Sequence, residues 1–206
     1  MPSIKIDCLH VGEYKMNCYL VENTDTEEVI VVDPGADGDR IMQKIGFKTP
    51  VAVLLTHAHY DHIGAAEMIC EEYQIPLYVH RKDEDKLMSP EKNCGKGFGR
   101  NITVRTRPTL LEGGEHLSLA GIDLLVMHTP GHSAGSCCYL LPDGAGLISG
   151  DTLFAHGYGR TDFDDGSFAM LKQSLKQLFN LTPKMPLYPG HEEAGIVGRD
   201  PAPENG

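Results

Sequence analysis

Residues 57 to 62 read His-Ala-His-Tyr-Asp-His, three imidazoles and a carboxylate in six positions, directly after the apolar run Val51, Ala52, Val53, Leu54, Leu55. The run has the length and composition of a buried strand, so the polar cluster is delivered at its C-terminal end. Alternation at 57, 59 and 61 suits an extended or turning backbone, while the adjacent pair Asp61 and His62 can point a second way. One segment can therefore serve two metal ions. The competing reading is a polar loop in a chain with ten histidines among 206 residues. A shuffled chain of this composition would show the pattern on the order of once in several hundred tries, which favours a metal cluster.

The chain is 41% hydrophobic, enough to bury a large core, and no linker or repeat divides residues 1–206, so one domain is expected. Met1, Pro2, Ser3, Ile4 and Lys5 do not form a basic-then-apolar leader, and no apolar run approaches the roughly 18 residues of a membrane helix. A cytoplasmic, soluble protein with no membrane partner is the expectation. Six cysteines without C-x-x-C spacing read as free thiols, and the neighbours Cys137 and Cys138 must face opposite sides of any strand. The net charge of -11 argues against a nucleic-acid surface. It does not forbid an anionic small substrate, because two divalent ions would leave the site locally positive. Oligomeric state leaves no mark in the sequence.

Strands are expected near 3–8, 17–22, 28–33, 51–55, 77–80, 136–141, 146–149 and 186–188, with a further hairpin around Ala120-Gly121. Helices are expected at 37–46, 63–74, 82–88 and 167–179. Asn93 to Asn101, with glycines at 95, 97 and 99, reads as a loop that could serve as a lid. Strands and helices in both halves predict an α/β (mixed α+β) fold, two mixed sheets packed together with helices outside.

Three further segments release a polar residue at a strand end beside glycine or proline: Pro130-Gly131-His132, Gly150-Asp151 and Pro189-Gly190-His191. With the first cluster they supply five histidines and two aspartates, enough for two ions that share one carboxylate and keep open positions. His10, His80, His116 and His128 lie in or beside strands without a metal-binding neighbour and read as structural. Taken in order, Asp33-Pro34-Gly35, Thr56 to Gly64, Thr129 to Ser133, Gly150 to Phe154 and Tyr188 to His191 resemble the metallo-beta-lactamase-fold hydrolases, specifically the short glyoxalase-II-like group.

That resemblance implies a four-layer αββα sandwich with the metal site at the strand ends between the two sheets. It implies that His57, His59 and His132 bind one ion, that Asp61, His62 and His191 bind the other, and that Asp151 bridges them. Asp61 and Asp151, with a hydroxide held by the ions, are then the catalytic groups. Asp33 orients ligands, since metal-bound imidazoles need a partner for their other nitrogen; its alternative is a simple turn former. Mixed His and Asp ligands suit two divalent ions, zinc foremost, with iron and manganese also fitting.

The implied substrate is a small molecule, a hydroxyacyl thioester of glutathione. A leaving thiolate, of pKa about 8.5, needs little protonation, whereas an amide would demand a general acid. In glyoxalase II a basic residue nine positions beyond the bridging Asp helps hold the glutathione tail, and Arg160 stands there. Asp162 occupies the place of an aromatic and would repel an anionic tail. His156 and Tyr158 are candidates to line the substrate pocket. Only residues 192–206 follow His191, so no C-terminal helical glutathione-binding domain is expected.

Other readings compete. A mononuclear-iron persulfide dioxygenase of similar fold would use residues matching His57, His132 and Asp151, and a lactone or other ester hydrolase of the same fold is also open. Flavin-linked di-iron oxygen reductases typically carry Glu where this chain has His59. Gly131-His132-Ser133-Ala134-Gly135 also satisfies G-x-S-x-G, with Ser133, Asp151 and His191 in the chain order of a serine-hydrolase triad. That elbow requires a strand entering and a helix leaving, yet Pro130 interrupts the approach and 136–140 departs as a strand.

Overall fold

A computed structural model describes residues 2–199. The first half forms a six-stranded sheet in sequential order: β1 (Ile4–Val11), β2 (Met16–Asn23), β3 (Glu28–Val32), β4 (Thr49–Leu54), β5 (Leu77–His80) and β6 (Pro108–Leu111). The second half forms another sheet from β7 (His116–Leu119), β8 (Ile122–His128), β9 (Cys137–Leu140), β10 (Leu147–Gly150), β11 (Met185–Pro189) and β12 (Gly195–Val197), in the order 12-11-10-9-8-7. Helices α1 (Gly38–Ile45), α2 (Tyr60–Ile63) and α3 (Ala66–Tyr73) belong to the first half and α4 (Phe168–Phe179) to the second. No helix among the described residues is long and apolar enough to cross a membrane.

Strand alternation builds the layers. In β3, Val29 and Val31 face a core shared with Ile41 and Ile45 of α1 and Ile69 of α3, while Ile30 and Val32 face a second core between the sheets. Along β8, Ile122, Leu124 and Val126 enter that same central core. Met127 turns outward to a third core with Leu171, Leu175 and Leu178, the i, i+4, i+7 stripe of α4. Helix, sheet, sheet and helix therefore stack through three apolar layers, the four-layer αββα sandwich expected from the sequence. Cys137 joins the central core and Cys138 the outer one, on opposite faces as adjacency requires, and all six cysteines are free.

Pairing directions decide where the polar residues emerge. β3 and β4 are parallel, with Val31 opposite Val53 and Val32 opposite Leu54, so both strands end at the same edge. β10 and β11 are parallel to each other, and β8 runs with them because each pairs or is linked antiparallel through β9. Five strand ends thus open at one rim. Buried hydrogen bonds lock the sheets together there: the Tyr139 hydroxyl donates to Leu55 O at 2.6 Å, Cys137 N to Thr56 O at 2.7 Å, Asn17 N to Gly190 O at 2.7 Å, and the Tyr19 hydroxyl to Pro189 O at 2.7 Å.

Three local expectations are corrected. The helix foreseen at 63–74 begins only at Ala66, as α3, with the separate turn α2 before it, because Ala65 N bonds Pro34 O at 2.8 Å and a Cβ on Gly64 would collide with Gly35 O. The charged helix foreseen at 82–88 is a 3-10 turn at Arg81–Lys86, whose i, i+3 period buries Asp83 and Lys86 on one face. Edge strands β6 and β12, of four and three residues, were not foreseen. Tyr139→Phe should lower the free energy of unfolding by about 1–3 kcal/mol, because the buried Leu55 carbonyl loses its donor. Urea denaturation checks this; an unchanged midpoint would mean the carbonyl is satisfied another way.

Candidate metal centre

Every residue of the expected ligand set lies just beyond a strand end at the shared rim. His57, His59, Asp61 and His62 follow β4, His132 follows β8, Asp151 follows β10 and His191 follows β11. The backbone leaves β4 extended through His59, with φ -73° and ψ 151°, and then enters α2. His57 and His59 are therefore presented from an extended segment, and Asp61 and His62 from a helical turn.

The side chains converge in overlapping trios. One ligand atom from each of His57, His59 and His132 falls within 4.8 Å of the others, and the same holds for Asp61, His62 and His191 and for His57, His62 and Asp151. Asp151 lies between the trios: Oδ1 is 3.5 Å from His62 Nε2, and Oδ2 is 3.5 Å from His132 Nε2 and 3.7 Å from His191 Nε2. Asp61 Oδ2 is 3.2 Å from His191 Nε2. The structure thus brings together all seven residues.

The outer nitrogens of the rings are held by the protein. Asp33 is buried with φ 50°, and its Oδ1 accepts from Thr56 N at 2.7 Å. Its Oδ2 accepts from the Thr56 hydroxyl at 2.6 Å and from His62 Nδ1 at 3.0 Å. Since that hydroxyl donates to Asp33, it must accept from His57 Nδ1, 3.1 Å away. His132 Nδ1 donates to Arg160 O at 2.8 Å. With Nδ1 donating in these three rings, His57 Nε2 keeps a lone pair facing the cluster, His62 Nε2 gains one once its second proton is released, and His132 Nε2 accepts from His59 Nδ1 at 2.9 Å. Asp33 thus ties the Thr56 segment and the His62 ring to one carboxylate.

Several of the cluster's buried polar atoms lack protein partners. His57 Nε2, His59 Nε2, His62 Nε2 and Asp151 Oδ1 are buried without a hydrogen bond, four of the seven such side-chain atoms among the described residues. Each would carry a desolvation cost of roughly 1–3 kcal/mol if it met nothing. Concentrating them within one small volume is the signature of a site that fits cations. Electrostatics agree with that fit. Burial pushes the His57, His59 and His132 rings down, so they are neutral and able to ligate. Burial also opposes charge on His62, but Asp151, Asp61 and Asp33 overcome it and hold that ring up at about 10. Burial likewise opposes ionisation of Asp61, and the His62 and His191 rings outweigh it, holding the carboxyl below the usual range. In the carboxylate-bearing trio the acids are balanced by the His62 and His191 rings, positive charge that a bound cation would replace.

A cavity of about 360 Å³ opens over the cluster, with His59, Asp61, His132, Asp151 and His191 in its floor. Aromatic walls come from Tyr14, Tyr60, Phe98, Phe154 and Phe163. The Phe163 ring lies 4.6 Å from His59 and 5.2 Å from His132. Nothing in the pattern of the chain marks Tyr14, Phe98 or Phe163, because they come from three loops that only the fold gathers. Phe98 belongs to the glycine-rich segment, which forms a 3-10 turn at Gly95–Phe98 and stacks on Tyr60 at 5.3 Å. The base of that segment is pinned by buried Asn93, whose amide donates to Lys86 O and Ile102 O.

Of the expected substrate-binding residues, only Arg160 lines this cavity. Its guanidinium sits 4.8 Å over Phe163 and makes a two-pronged pair with Asp162 at 2.6 Å. His156 and Tyr158 do not line it. The Phe154–Gly157 bridge turns the chain back, leaving His156 solvent-exposed 3.5 Å from Glu193 and Tyr158 against Phe168 at 6.0 Å. Ser133 is fully buried with its hydroxyl 2.9 Å from Asp83 Oδ2, and a strand follows it, so the serine-hydrolase arrangement does not form. His80 and His128 stack on each other at 4.0 Å, apart from the cluster.

Comparison with known proteins gives a consistent picture. The model of the Metallo-beta-lactamase superfamily matches residues 11–191. The chain is 40% identical to the "Probable metallo-hydrolase YqgX" of Bacillus subtilis (strain 168) over 171 residues, 81% of this chain and 80% of that one. It is 27% identical to the "Hydroxyacylglutathione hydrolase GloC" of Haemophilus influenzae, covering 96% of this chain and 95% of that one. Among solved structures, BLEG-1 B3 metallo-beta-lactamase superposes with a TM-score of 0.89 at 34% identity, covering 93% and 94% of the two chains. TTHA1623 in a di-iron-bound form gives 0.82 at 31%, covering 91% and 93%.

Elemental analysis of purified protein should find about two metal ions per chain. Exhaustive chelation should leave the far-UV circular dichroism intact and lower the melting temperature, because bound ions stabilise only the folded state. Stoichiometry well below one, with no change of melting temperature on chelation, would remove the metal assignment.

Proposed function

The chain belongs to the metallo-beta-lactamase superfamily, and on that premise we propose that it is a dinuclear metal-dependent hydrolase acting on acyl thioesters of the hydroxyacyl-glutathione kind. The observation that carries the reading is the convergence of one ligand atom from each of the seven residues, with His57 and His62 Nε2 and Asp151 Oδ1 buried and unpartnered, beside an open cavity. His57, His59 and His132 would hold one ion, Asp61, His62 and His191 the other, with Asp151 shared. When bound, such ions lower the pKa of a water toward neutrality and polarise an acyl oxygen.

The remaining work falls to the protein. Asp61, ionised and 3.2 Å from His191 Nε2, offers an acceptor oxygen that orients the attacking water. The aromatic walls offer an apolar surface against which the acyl group can lie beside the ligand cluster. Water adds to the acyl carbon, the C–S bond breaks and the thiol departs as thiolate, which needs no strong general acid. Arg160 at the cavity wall is the group placed to meet a carboxylate on the thiol portion, once it is released from Asp162. The similarity to GloC supports this substrate class. Zinc is the proposed metal, and iron is supported by the di-iron form of TTHA1623.

The test is a panel on protein loaded with zinc, iron or manganese: S-lactoylglutathione, a neutral acyl thioester, a lactone, a cephalosporin, and glutathione persulfide with oxygen monitored. Thioesters are expected to give the highest kcat/KM. His57→Ala and Asp151→Ala should reduce it by about 10³-fold with the fold retained, the size that loss of several kcal/mol of transition-state stabilisation requires. Preferred turnover of the lactam or lactone would reassign the substrate. One iron per chain with oxygen uptake on the persulfide would replace hydrolysis with dioxygenation.

A further inference from the structure

Behind the three-histidine trio lies a buried acid that the chemistry above does not use. Asp83, fully buried on the 3-10 turn after β5, accepts four hydrogen bonds. Its Oδ2 takes Ala58 N at 2.9 Å and the Ser133 hydroxyl at 2.9 Å. Its Oδ1 takes Gly135 N at 2.8 Å and Lys86 Nζ at 2.9 Å. Ala58 is the residue between His57 and His59, and Ser133 follows His132. One carboxylate therefore ties together, from the far side, the two loops that carry all three imidazoles of that trio.

The fit is close on every side. A Cβ on Gly135 would lie 2.6 Å from Asp83 Oδ1, so the 133–135 turn can approach the carboxylate only as glycine. Lys86 is also buried, and its ammonium continues to Asp165 Oδ2 at 2.7 Å, which in turn accepts Ala134 N at 2.8 Å. A carboxylate, an ammonium and a second carboxylate thus pair in series, from buried Asp83 to half-buried Asp165. None of these groups touches Asp61, His62 or His191.

The geometry points to Asp83 as the positioning residue that presets the His57, His59 and His132 half of the centre. This rests on the reading that the seven side chains hold two ions. Two loops from different sheets must keep three ring nitrogens, one from each histidine, at ligand spacing, and a charged acceptor binding both backbones holds that spacing before any ion arrives. Replacing Asp83 by Asn keeps its shape. It turns one two-bond acceptor oxygen into a donor, so the backbone N–H that faces it, Ala58 N or Gly135 N, loses its acceptor and the tie between the loops is weakened.

Cobalt loading of the full chain, read by visible absorption and chelator competition, resolves the two ions by separate dissociation constants, and His59→Ala identifies which constant belongs to the trio. Asp83→Asn should weaken that ion by about 10–100-fold and leave the other unchanged. Leu178→Ala, a cavity beneath α4 far from the centre, should lower the melting temperature without moving either constant. Parent-like constants in Asp83→Asn overturn the inference, as does an equal weakening of the same ion in Leu178→Ala. Should Asp83→Asn fail to fold, Ser133→Ala removes a single bond to the carboxylate; weakening confined to the same ion supports the inference, and no weakening overturns it. A parent chain that takes up no cobalt sinks the metal reading itself, so the two failures are distinguishable.

Discussion

Two sheets can present seven polar groups at one rim only if an apolar layer holds them face to face. Ile30, Val32 and Leu54 from one sheet and Ile122, Val126, Tyr139 and Ile148 from the other form that layer. Full burial of each aliphatic side chain there stabilises by roughly 1.5–3 kcal/mol. The stabilisation is non-directional and sets no register by itself. Register comes from the buried donors at the rim, Tyr139 to Leu55 and Asn17 and Tyr19 to the 189–190 turn, which fix the sheets relative to each other where the ligands emerge.

Burying unpartnered nitrogen lone pairs works against folding, and the surrounding network shows what offsets that cost. Each outer imidazole nitrogen of His57, His62 and His132 has a partner, so the rings are oriented before any ion binds. Asp33 serves two of them, one directly and one through Thr56. Neutral rings gather on one side of Asp151 and charged groups on the other, so the two halves differ in electrostatic character although they share a carboxylate.

Much of the frame was legible in the chain. Glu28–Val32 and Phe168–Phe179 fall within a residue or so of the segments that periodicity marks, since a long apolar stripe leaves one way to be buried. The ligand residues were legible because their chemistry is dense and local. Short elements were not: β6 and β12 are edge strands whose existence depends on a neighbour to pair with, and Arg81–Lys86 carries a charge pattern that reads as a solvated helix until the fold buries Asp83 and Lys86 together. The same limit explains His156 and Tyr158. Proximity in sequence to Asp151 suggested a shared pocket, but a tight turn sends both away from it.

Sequence by itself determined the alternating strands, the three-layer distribution of apolar residues and the identity of the metal-ligand candidates, because periodicity and side-chain chemistry are local properties. Tertiary structure alone decided that Asp151 lies between two trios, that Ser133 is bound to Asp83 instead of facing a substrate, and that Tyr14, Phe98 and Phe163 wall one cavity. Those facts concern distances between residues far apart in the chain, and only the packing of one sheet against the other sets such distances.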